Sequence, residues 1–299
     1  MRTLITNSSV HAVGLTDPGK TQEHNEDAFA ICENLGLYIV SDGMGGAQAG
    51  EVASSLVVKA LPAEVAVQMS DGASLIDRDM ARCLWNSIDN LSRQMHEQTS
   101  NVGGLHGMGA TVVACLVQGN MAAIGHMGDS RVYLMHDGVL ERLTEDHALA
   151  DTLLRFGQIS KTEAREHPGR HVLTRYMGIE GSVGPDVGIL TLKDGDRLLL
   201  CSDGLTNMVV DRTIGTLMWF EPDIAVACQT LVDKANEAGG EDNISVLIIQ
   251  YGLKPLDSRQ VKRVALRRAI GRSLKRFEIA VNDSERQRGE CESSREDAE

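Results

Sequence analysis

Acidic residues at the ends of short apolar segments constrain the fold of this chain more than any other feature. The four segments of this kind are Glu26-Asp27 before Ala28–Cys32, Asp42-Gly43 after Leu37–Ser41, Ser202-Asp203-Gly204 after Arg197–Cys201, and Glu241-Asp242-Asn243 before Ser245. Any single one is well explained as an ordinary Asp-Gly or Asx turn. Four in one chain indicate a carboxylate cluster, because like charges repel and bound cations make such a cluster tolerable.

The charge distribution agrees with cation binding. The net charge of the 299 residues is −13, of which −16 lies in residues 1–253 and +3 in residues 254–299. An acidic body argues against a nucleic-acid surface, which needs basic residues to neutralise phosphates. The six cysteines show no C-x-x-C spacing, so a cysteine zinc site is not expected. Oxygen ligands without paired His or Cys favour Mg²⁺ or Mn²⁺.

Apolar runs and their spacing predict an α+β fold. Strands are expected at 10–15, 28–32, 37–41, 111–118, 122–127, 131–136, 187–191, 197–202 and 245–250, with a hairpin turn at Asp137-Gly138. Helices are expected at about 49–63, 75–98 and 223–238. Consecutive strands with inserted helices favour layered antiparallel sheets over repeating βαβ units.

The chain changes character near Gly252. We expect a catalytic domain at 1–252, a basic amphipathic helical extension at 253–281 and a disordered tail at 282–299, which is rich in Glu, Ser and Arg. The basic helix has two interpretations: it docks on an anionic membrane or a partner, or it folds back onto the acidic body, and the acidic surface favours the second. No signal peptide or membrane span of about 20 apolar residues is expected, which predicts a cytoplasmic protein.

Eight short motifs in order resemble the metal-dependent protein phosphatase family, type 2C, in its bacterial form. They are N-E-D (25–27), D-G-M-G-G (42–46), G-M-G-A-T (107–111), G-D-S-R (128–131), D-H-A-L (146–149), H-P-G-R-H-V-L-T-R (167–175), S-D-G-L (202–205) and E-D-N-I-S (241–245). The resemblance covers about residues 7–250. It implies a four-layer α-β-β-α sandwich, in which two antiparallel sheets are flanked by helices.

The resemblance also implies a role for each acid. Asp42 would bridge two Mn²⁺ or Mg²⁺ ions with the Gly43 carbonyl on one of them, and Asp203 and Asp242 would hold the other. Glu26 would lie close through water, and Asp27 would support the site. Asp129, together with Asp203, would hold a weaker third ion.

The implied activity is hydrolysis of phosphoserine and phosphothreonine in proteins, by in-line attack of a metal-bridging hydroxide. The enzyme would act in signal transduction, as a monomer, opposing bacterial Ser/Thr kinases. The alternative is a metal-binding pseudophosphatase that recognises phosphoproteins without efficient turnover. Residues Asp146–Arg175, called the flap below, would lie beside the site.

Two residues depart from the family pattern. Met44 stands where eukaryotic members usually carry His, so the leaving group must take its proton from water or from another group such as His24. Gln22 stands where bacterial members usually have an Arg that grips the substrate phosphate. Because Gln brings no charge, we expect weaker substrate binding, compensated by Lys20 or by a cation on the substrate.

Other polar residues in the motifs are expected to have structural roles. His147 and His167 are candidates for general acids, but capping or packing is the favoured interpretation. Ser202 is interpreted as a turn residue because no Ser/His/Asp arrangement supports a nucleophile. Arg175 is assigned to a flap salt bridge rather than to phosphate binding, and Thr111 and Arg131 to positioning strands.

Overall fold

Two antiparallel sheets form the centre of the computed structural model, which describes residues 10–45, 49–70, 77–101, 108–181 and 183–252. The strands are β1 (Val10–Asp17), β2 (Asp27–Cys32), β3 (Leu37–Met44), β4 (Gly109–Ala110), β5 (Val112–Gln118), β6 (Met121–Met127), β7 (Arg131–His136), β8 (Val139–Arg142), β9 (Asp186–Thr191), β10 (Arg197–Cys201) and β11 (Ile244–Tyr251). One sheet has the order β1-β11-β10-β7-β8; the other has the order β2-β3-β5-β6-β9, with β4 paired to β3.

Helices cover the outer faces of both sheets. They are α1 (Ala49–Ser70), α2 (Asp77–Asn101), α3 (Leu149–Arg155), α4 (Lys161–Glu166), α5 (Asp203–Thr206), α6 (Asp211–Phe220) and α7 (Ile224–Glu237). Helices α1 and α2 pack on the β2-containing sheet, and α6 and α7 pack on the β1-containing sheet. The four-layer α-β-β-α arrangement expected from the sequence is confirmed.

The central strands are apolar along their whole length because both of their faces are buried. In β3, Leu37 and Ile39 pack toward α1 and α2, whereas Tyr38 and Val40 pack between the sheets. Strand β10 alternates in the same way, with Leu198 facing the inter-sheet core. Since successive side chains of a strand point to opposite faces, such strands carry apolar residues at every position.

Helix α1 is longer than predicted. It continues through Pro62 to Ser70, past the expected end near residue 63. Its side chains at Val57, Leu61 and Val65 are fully buried, and this packing offsets the cost of a proline inside the helix. By length and composition alone, Ala49–Met69 could cross a membrane, contrary to the expectation that no such segment exists. In the structure this helix packs against β3 and α2.

Strand ends differ from the prediction at the acidic residues. Strand β3 extends through Asp42 and Gly43 to Met44, because Gly43 and Met44 pair with β4. Asp27 is already the first residue of β2. Asp27 and Asp42 therefore lie at the first and late positions of their strands rather than in turns outside the sheet.

The hairpin at residues 136–139 is confirmed, with positive φ at both Asp137 and Gly138. The short helices α3 and α4 inside the flap, and α5 and α6 after β10, were not predicted from the sequence. The segments at 253–281 and 282–299 lie outside the described residues, so their predicted helix and tail stay predictions.

Candidate metal centre

Strands β2 and β3 bring two of the predicted acids side by side. Asp27 and Asp42 are direct cross-strand partners in the antiparallel register. The Thr111 hydroxyl accepts a hydrogen bond from the Asp42 amide at 2.9 Å, and the Thr111 amide donates to the Asp42 carbonyl at 2.7 Å. Thr111 therefore fixes the backbone of Asp42 near the end of β3, in agreement with its predicted positioning role.

Two glycines, Gly43 and Gly50, allow Glu26 to pack between the end of β3 and the first turn of α1. The Gly43 amide donates to the Glu26 carbonyl at 3.1 Å. A Cβ at Gly43 would lie 1.9 Å from the Gly50 carbonyl oxygen, and one at Gly50 would lie 2.3 Å from Glu26 Oε2. Because real Cβ atoms never come so close, the first turn of α1 packs against Glu26 and Gly43 only when both positions are glycine.

The other sheet contributes Asp203 and Asp242. Asp203 begins α5 directly after β10, and Asn207 Nδ2 donates to its Oδ2 at 3.0 Å. Asp242 precedes β11, and its Oδ1 accepts from the Asn243 amide at 2.8 Å. A Cβ at Gly204 would lie 2.0 Å from the Asn243 carbonyl oxygen, so this glycine permits the two acidic segments to pack together.

Asp129 lies in the connection between β6 and β7. Its charge interacts with Asp203 and Asp146. The neighbouring Arg131 donates from Nη2 to Asp146 Oδ2 at 2.7 Å, and Arg142 also donates to Asp146. Arg131 therefore ties the flap to β7 through Asp146, a connection that goes beyond its predicted role in positioning strands.

Gln22, the predicted substrate-binding residue, is exposed and reaches toward Asp242. Its Nε2 lies 3.4 Å from Asp242 Oδ1 and 3.5 Å from the Glu241 carbonyl oxygen. Both hydrogen bonds are long. The amide of Gln22 is thus directed at an acidic residue of the site.

The gathered carboxylates shift one another's pKa values. Burial raises the pKa of Asp42 well above its usual range, and the charges of Asp27, Asp203 and Asp129 raise it further. Burial, with the nearby acids, also raises the pKa of Asp27 to about 7 and that of Asp129 to about 8. Burial followed by the charge of Asp242 raises the pKa of Glu26 and of Asp203. Without cations, the cluster holds protons at neutral pH.

Two carboxylate oxygens of the cluster have no hydrogen-bond partner among the described residues. They are Asp27 Oδ1 and Asp203 Oδ1, and both are buried. Buried polar atoms nearly always have hydrogen-bond partners. Two unpartnered carboxylate oxygens, beside carboxyl groups with raised pKa values, therefore indicate a site that binds cations. Carboxylate and carbonyl oxygens are the donors that Mg²⁺ and Mn²⁺ prefer, and the residues present therefore fit such ions.

A second group with metal-ligand chemistry links the flap to the sheet. The ligand atoms of His126, His147 and Asp186 lie within 4.8 Å of one another. The two rings are stacked, with their centroids 4.5 Å apart and their planes 19° from parallel. His147 Nε2 bonds Asp186 Oδ2 at 3.1 Å, and Arg175 donates to Asp186 Oδ1 at 2.7 Å. His147 and Asp186 therefore bond each other within this cluster, and Arg175 makes the predicted flap salt bridge.

The two flap histidines assigned to capping do cap backbone groups. His147 Nδ1 accepts from the Gly128 amide at 3.2 Å, and His167 Nδ1 accepts from the Gly169 amide at 3.0 Å. Burial, together with the charge of neighbouring His126, lowers the pKa of His147 to about 4. A neutral, buried imidazole suits a structural role.

The structure adds site residues that the sequence reasoning missed. Ser202 is fully buried and donates to Asp27 Oδ2 at 2.6 Å, so its interpretation as a simple turn residue was incomplete. Asn243 accepts from the Glu26 amide at 2.7 Å and donates to the carbonyls of Pro18 and His24. Asn243 stood inside the quoted E-D-N-I-S motif, which was the available signal.

Comparisons with known proteins agree with this geometry. The sequence pattern of the family described as "Protein phosphatase 2C" matches residues 19–240. The "Serine/threonine phosphatase stp" of Listeria monocytogenes serotype 4b is 38% identical over 247 residues, covering 82% of this chain and 97% of that protein.

Solved structures that are similar to this chain are also serine/threonine phosphatases. The Mycobacterium tuberculosis serine/threonine phosphatase PstP/Ppp matches with a TM-score of 0.69 and 34% identity, covering 82% of this chain and 100% of that one. A catalytic domain of the phosphatase PstP, solved in complex with 2 manganese ions, matches with a TM-score of 0.67 and 31% identity, covering 82% and 99%. With the family pattern matched over most of its length, this chain belongs to the protein phosphatase 2C family.

Proposed function

We propose that this phosphatase uses Mn²⁺ or Mg²⁺ to hydrolyse phosphoserine and phosphothreonine in proteins. The observation that carries the proposal is the convergence of acids from both sheets, two of whose buried oxygens lack partners. Relatives named serine/threonine phosphatases and a relative containing two manganese ions support it.

The cluster supplies oxygen ligands for two ions. We assign Asp42, the Gly43 carbonyl, Glu26, Asp203 and Asp242 to these ions. When bound, divalent cations lower the pKa of water and offset negative charge on phosphoryl oxygens.

Two further acids take supporting positions. Asp27 supports the centre, and the Ser202 hydroxyl donates a hydrogen bond to its Oδ2 at 2.6 Å. Asp129, which interacts electrostatically with Asp203, is assigned with it to a weaker third ion.

The surrounding residues hold the ligands in place. Thr111 fixes the backbone of Asp42, Asn207 holds Asp203 Oδ2, and Asn243 connects Glu26 to Asp242. In the proposed reaction, a water oxygen bonds to phosphorus as the Ser or Thr oxygen leaves in line and takes up a proton. Met44 carries no proton to donate, so we assign leaving-group protonation to water.

The cellular role follows from the substrate class. An enzyme that removes phosphate from Ser and Thr side chains opposes the Ser/Thr kinases that add it. We propose that this chain does so as a cytoplasmic monomer in signal transduction.

The test is turnover of a phosphothreonine peptide with Mn²⁺ by the wild type and by Asp42→Ala and Asp203→Ala variants. Removing one electrostatic contributor to a transition state typically lowers kcat by about 100-fold or more. Asp233→Ala, which removes an exposed acid from α7, is the matched control and should leave turnover unchanged. Equal rates in the wild type and both site variants would refute the enzymatic proposal.

The alternative is a metal-binding pseudophosphatase that recognises phosphoproteins without efficient turnover. The neutral amide of Gln22 points at Asp242 and brings no positive charge to a substrate phosphate, so either function would bind phosphate through other groups. Peptide binding that depends on phosphorylation and on Mn²⁺, without release of inorganic phosphate, would support the alternative.

A further inference from the structure

Asp129, the proposed ligand of a third ion, lies between two residues that pack on Thr111. On one side, Ser130 is buried, and its hydroxyl shares a 2.7 Å hydrogen bond with the Thr111 hydroxyl. On the other side, a Cβ at Gly128 would lie 2.6 Å from Thr111 Cγ2. Because the Thr111 hydroxyl also accepts from the Asp42 amide at 2.9 Å, these contacts bring the backbone of Asp129 beside the strand that carries Asp42.

His147 of the flap holds Gly128 at both of its backbone polar groups. The Gly128 amide donates to His147 Nδ1 at 3.2 Å, and the His147 amide donates to the Gly128 carbonyl at 3.0 Å. Gly128 has a φ of +113°, within the wide range that only glycine adopts freely. Bonds on both of its peptide groups restrict this freedom, and they therefore set the direction in which the chain enters Asp129.

Asp186 determines which nitrogen of His147 accepts the bond. His147 Nε2 lies 3.1 Å from Asp186 Oδ2, and an ionised carboxylate can only accept. In the neutral ring the proton is therefore on Nε2, and the lone pair of Nδ1 faces the Gly128 amide. Arg175 donates to the other oxygen of Asp186 at 2.7 Å and so orients this carboxylate.

We propose that His147 positions Asp129 for the third ion by holding the Gly128 amide. This inference rests on the proposed function, which assigns Asp129 and Asp203 to that ion. His147 is a positioning residue, because it acts through the backbone from which the Asp129 carboxylate extends. Loss of a residue that orients a metal ligand typically weakens metal binding by about 10- to 100-fold.

Two variants of His147 separate this positioning role from packing. Both remove the ring, so both lose the same stacking contact with His126. His147→Asn places its side-chain oxygen near the Nδ1 position and keeps an acceptor for the Gly128 amide, whereas His147→Gln places its amide nitrogen near the Nε2 position and keeps only the bond to Asp186. We expect His147→Gln to weaken the weakest-bound Mn²⁺ about tenfold and His147→Asn to stay close to the wild type.

The affinity for Mn²⁺ is measured without turnover, by calorimetric titration of the full metal-free chain, and circular dichroism checks that each variant is folded. A second variant, Asp186→Ala, serves because His147 is buried and its replacement can prevent folding. The Asp186 side chain is 49% exposed, and its loss lets the other tautomer of His147 compete, which should also weaken the third ion. Glu141→Gln, which neutralises an exposed acid of β8, is the matched control and should bind Mn²⁺ as the wild type does.

The outcomes separate this inference from the proposed function. A selective loss of the third ion in His147→Gln or Asp186→Ala, with the two tighter ions unchanged, supports the inference even if no peptide is hydrolysed, in which case the proposed function fails instead. Equal losses in His147→Asn and His147→Gln, or unchanged Mn²⁺ affinity in both His147→Gln and Asp186→Ala, would overturn it. A wild type that binds only two Mn²⁺ ions would overturn it as well and would leave phosphatase activity at the two-ion centre intact.

Discussion

Removing divalent cations should make the stability of this protein fall steeply with rising pH. Burial and neighbouring charges raise the pKa of Asp27 from 3.8 to about 7 and that of Asp129 from 3.8 to about 8. Above pH 6, the unfolded chain has already lost both protons, whereas the folded chain still holds them. The folded state therefore binds more protons, and its free energy of unfolding decreases as the pH rises through these two pKa values.

The size of the effect follows from the two pKa values. Between pH 6.5 and 8.5, most folded molecules lose the Asp129 proton, and those that still carry the Asp27 proton lose it. Together these losses lower the free energy of unfolding by about 3 kcal/mol. For a domain of this size, that corresponds to a decrease in Tm of about 6 to 12 °C. His147, whose pKa is lowered to about 4, has the opposite dependence, but its contribution ends near pH 6.5.

Thermal unfolding with a chelator at pH 6.5, 7.5 and 8.5 measures this dependence, and the same series with Mn²⁺ should be nearly flat. Asp129→Asn keeps the shape of the side chain and should make the slope shallower. A Tm of the chelated protein that stays constant or rises over this range would refute the reasoning, as would an unchanged slope in Asp129→Asn.

Three further outcomes are expected. Gly50→Ala should raise the Mn²⁺ concentration needed for half-maximal activity, because its Cβ would meet the Glu26 carboxylate at 2.3 Å; Gly188→Ala, where nothing lies within 4 Å, is the control and should behave as wild type. Thr111→Val should lower the free energy of unfolding in urea by about 1–3 kcal/mol, since it leaves the Asp42 amide without its 2.9 Å acceptor; equal stability would contradict this. Gln22→Arg should lower KM for a small phosphate ester, because it adds charge-assisted hydrogen bonds, and an unchanged KM would count against the interpretation of Gln22.

Much of the layered fold could be read from local sequence. Apolar runs such as Leu37–Val40 are buried on both faces, and this burial leaves a continuous apolar pattern that predicts the strand. The helices of the flap were missed because they are short and only partly buried, so no long amphipathic pattern marks them. The end of α1 was misplaced because Pro62 is a strong local stop signal, and only packing of Val65 against the core offsets it.

The sequence by itself determined the chemistry of the candidate site. Acids at strand ends, together with glycines that allow close backbone approach, predict a carboxylate cluster that includes Glu26, Asp42, Asp203 and Asp242. These residue types carry their charge and their ligand atoms wherever the chain places them. The motif order then connected them to one family.

Only the tertiary structure decided which partners those acids have. Ser202 bonds Asp27 across 175 positions of the chain, and the Glu26 amide bonds Asn243 across 217. It also decided that the Gln22 amide turns toward Asp242. Such contacts depend on how two sheets and a flap pack together, and the pKa of each acid depends on the burial and the charges that this packing creates.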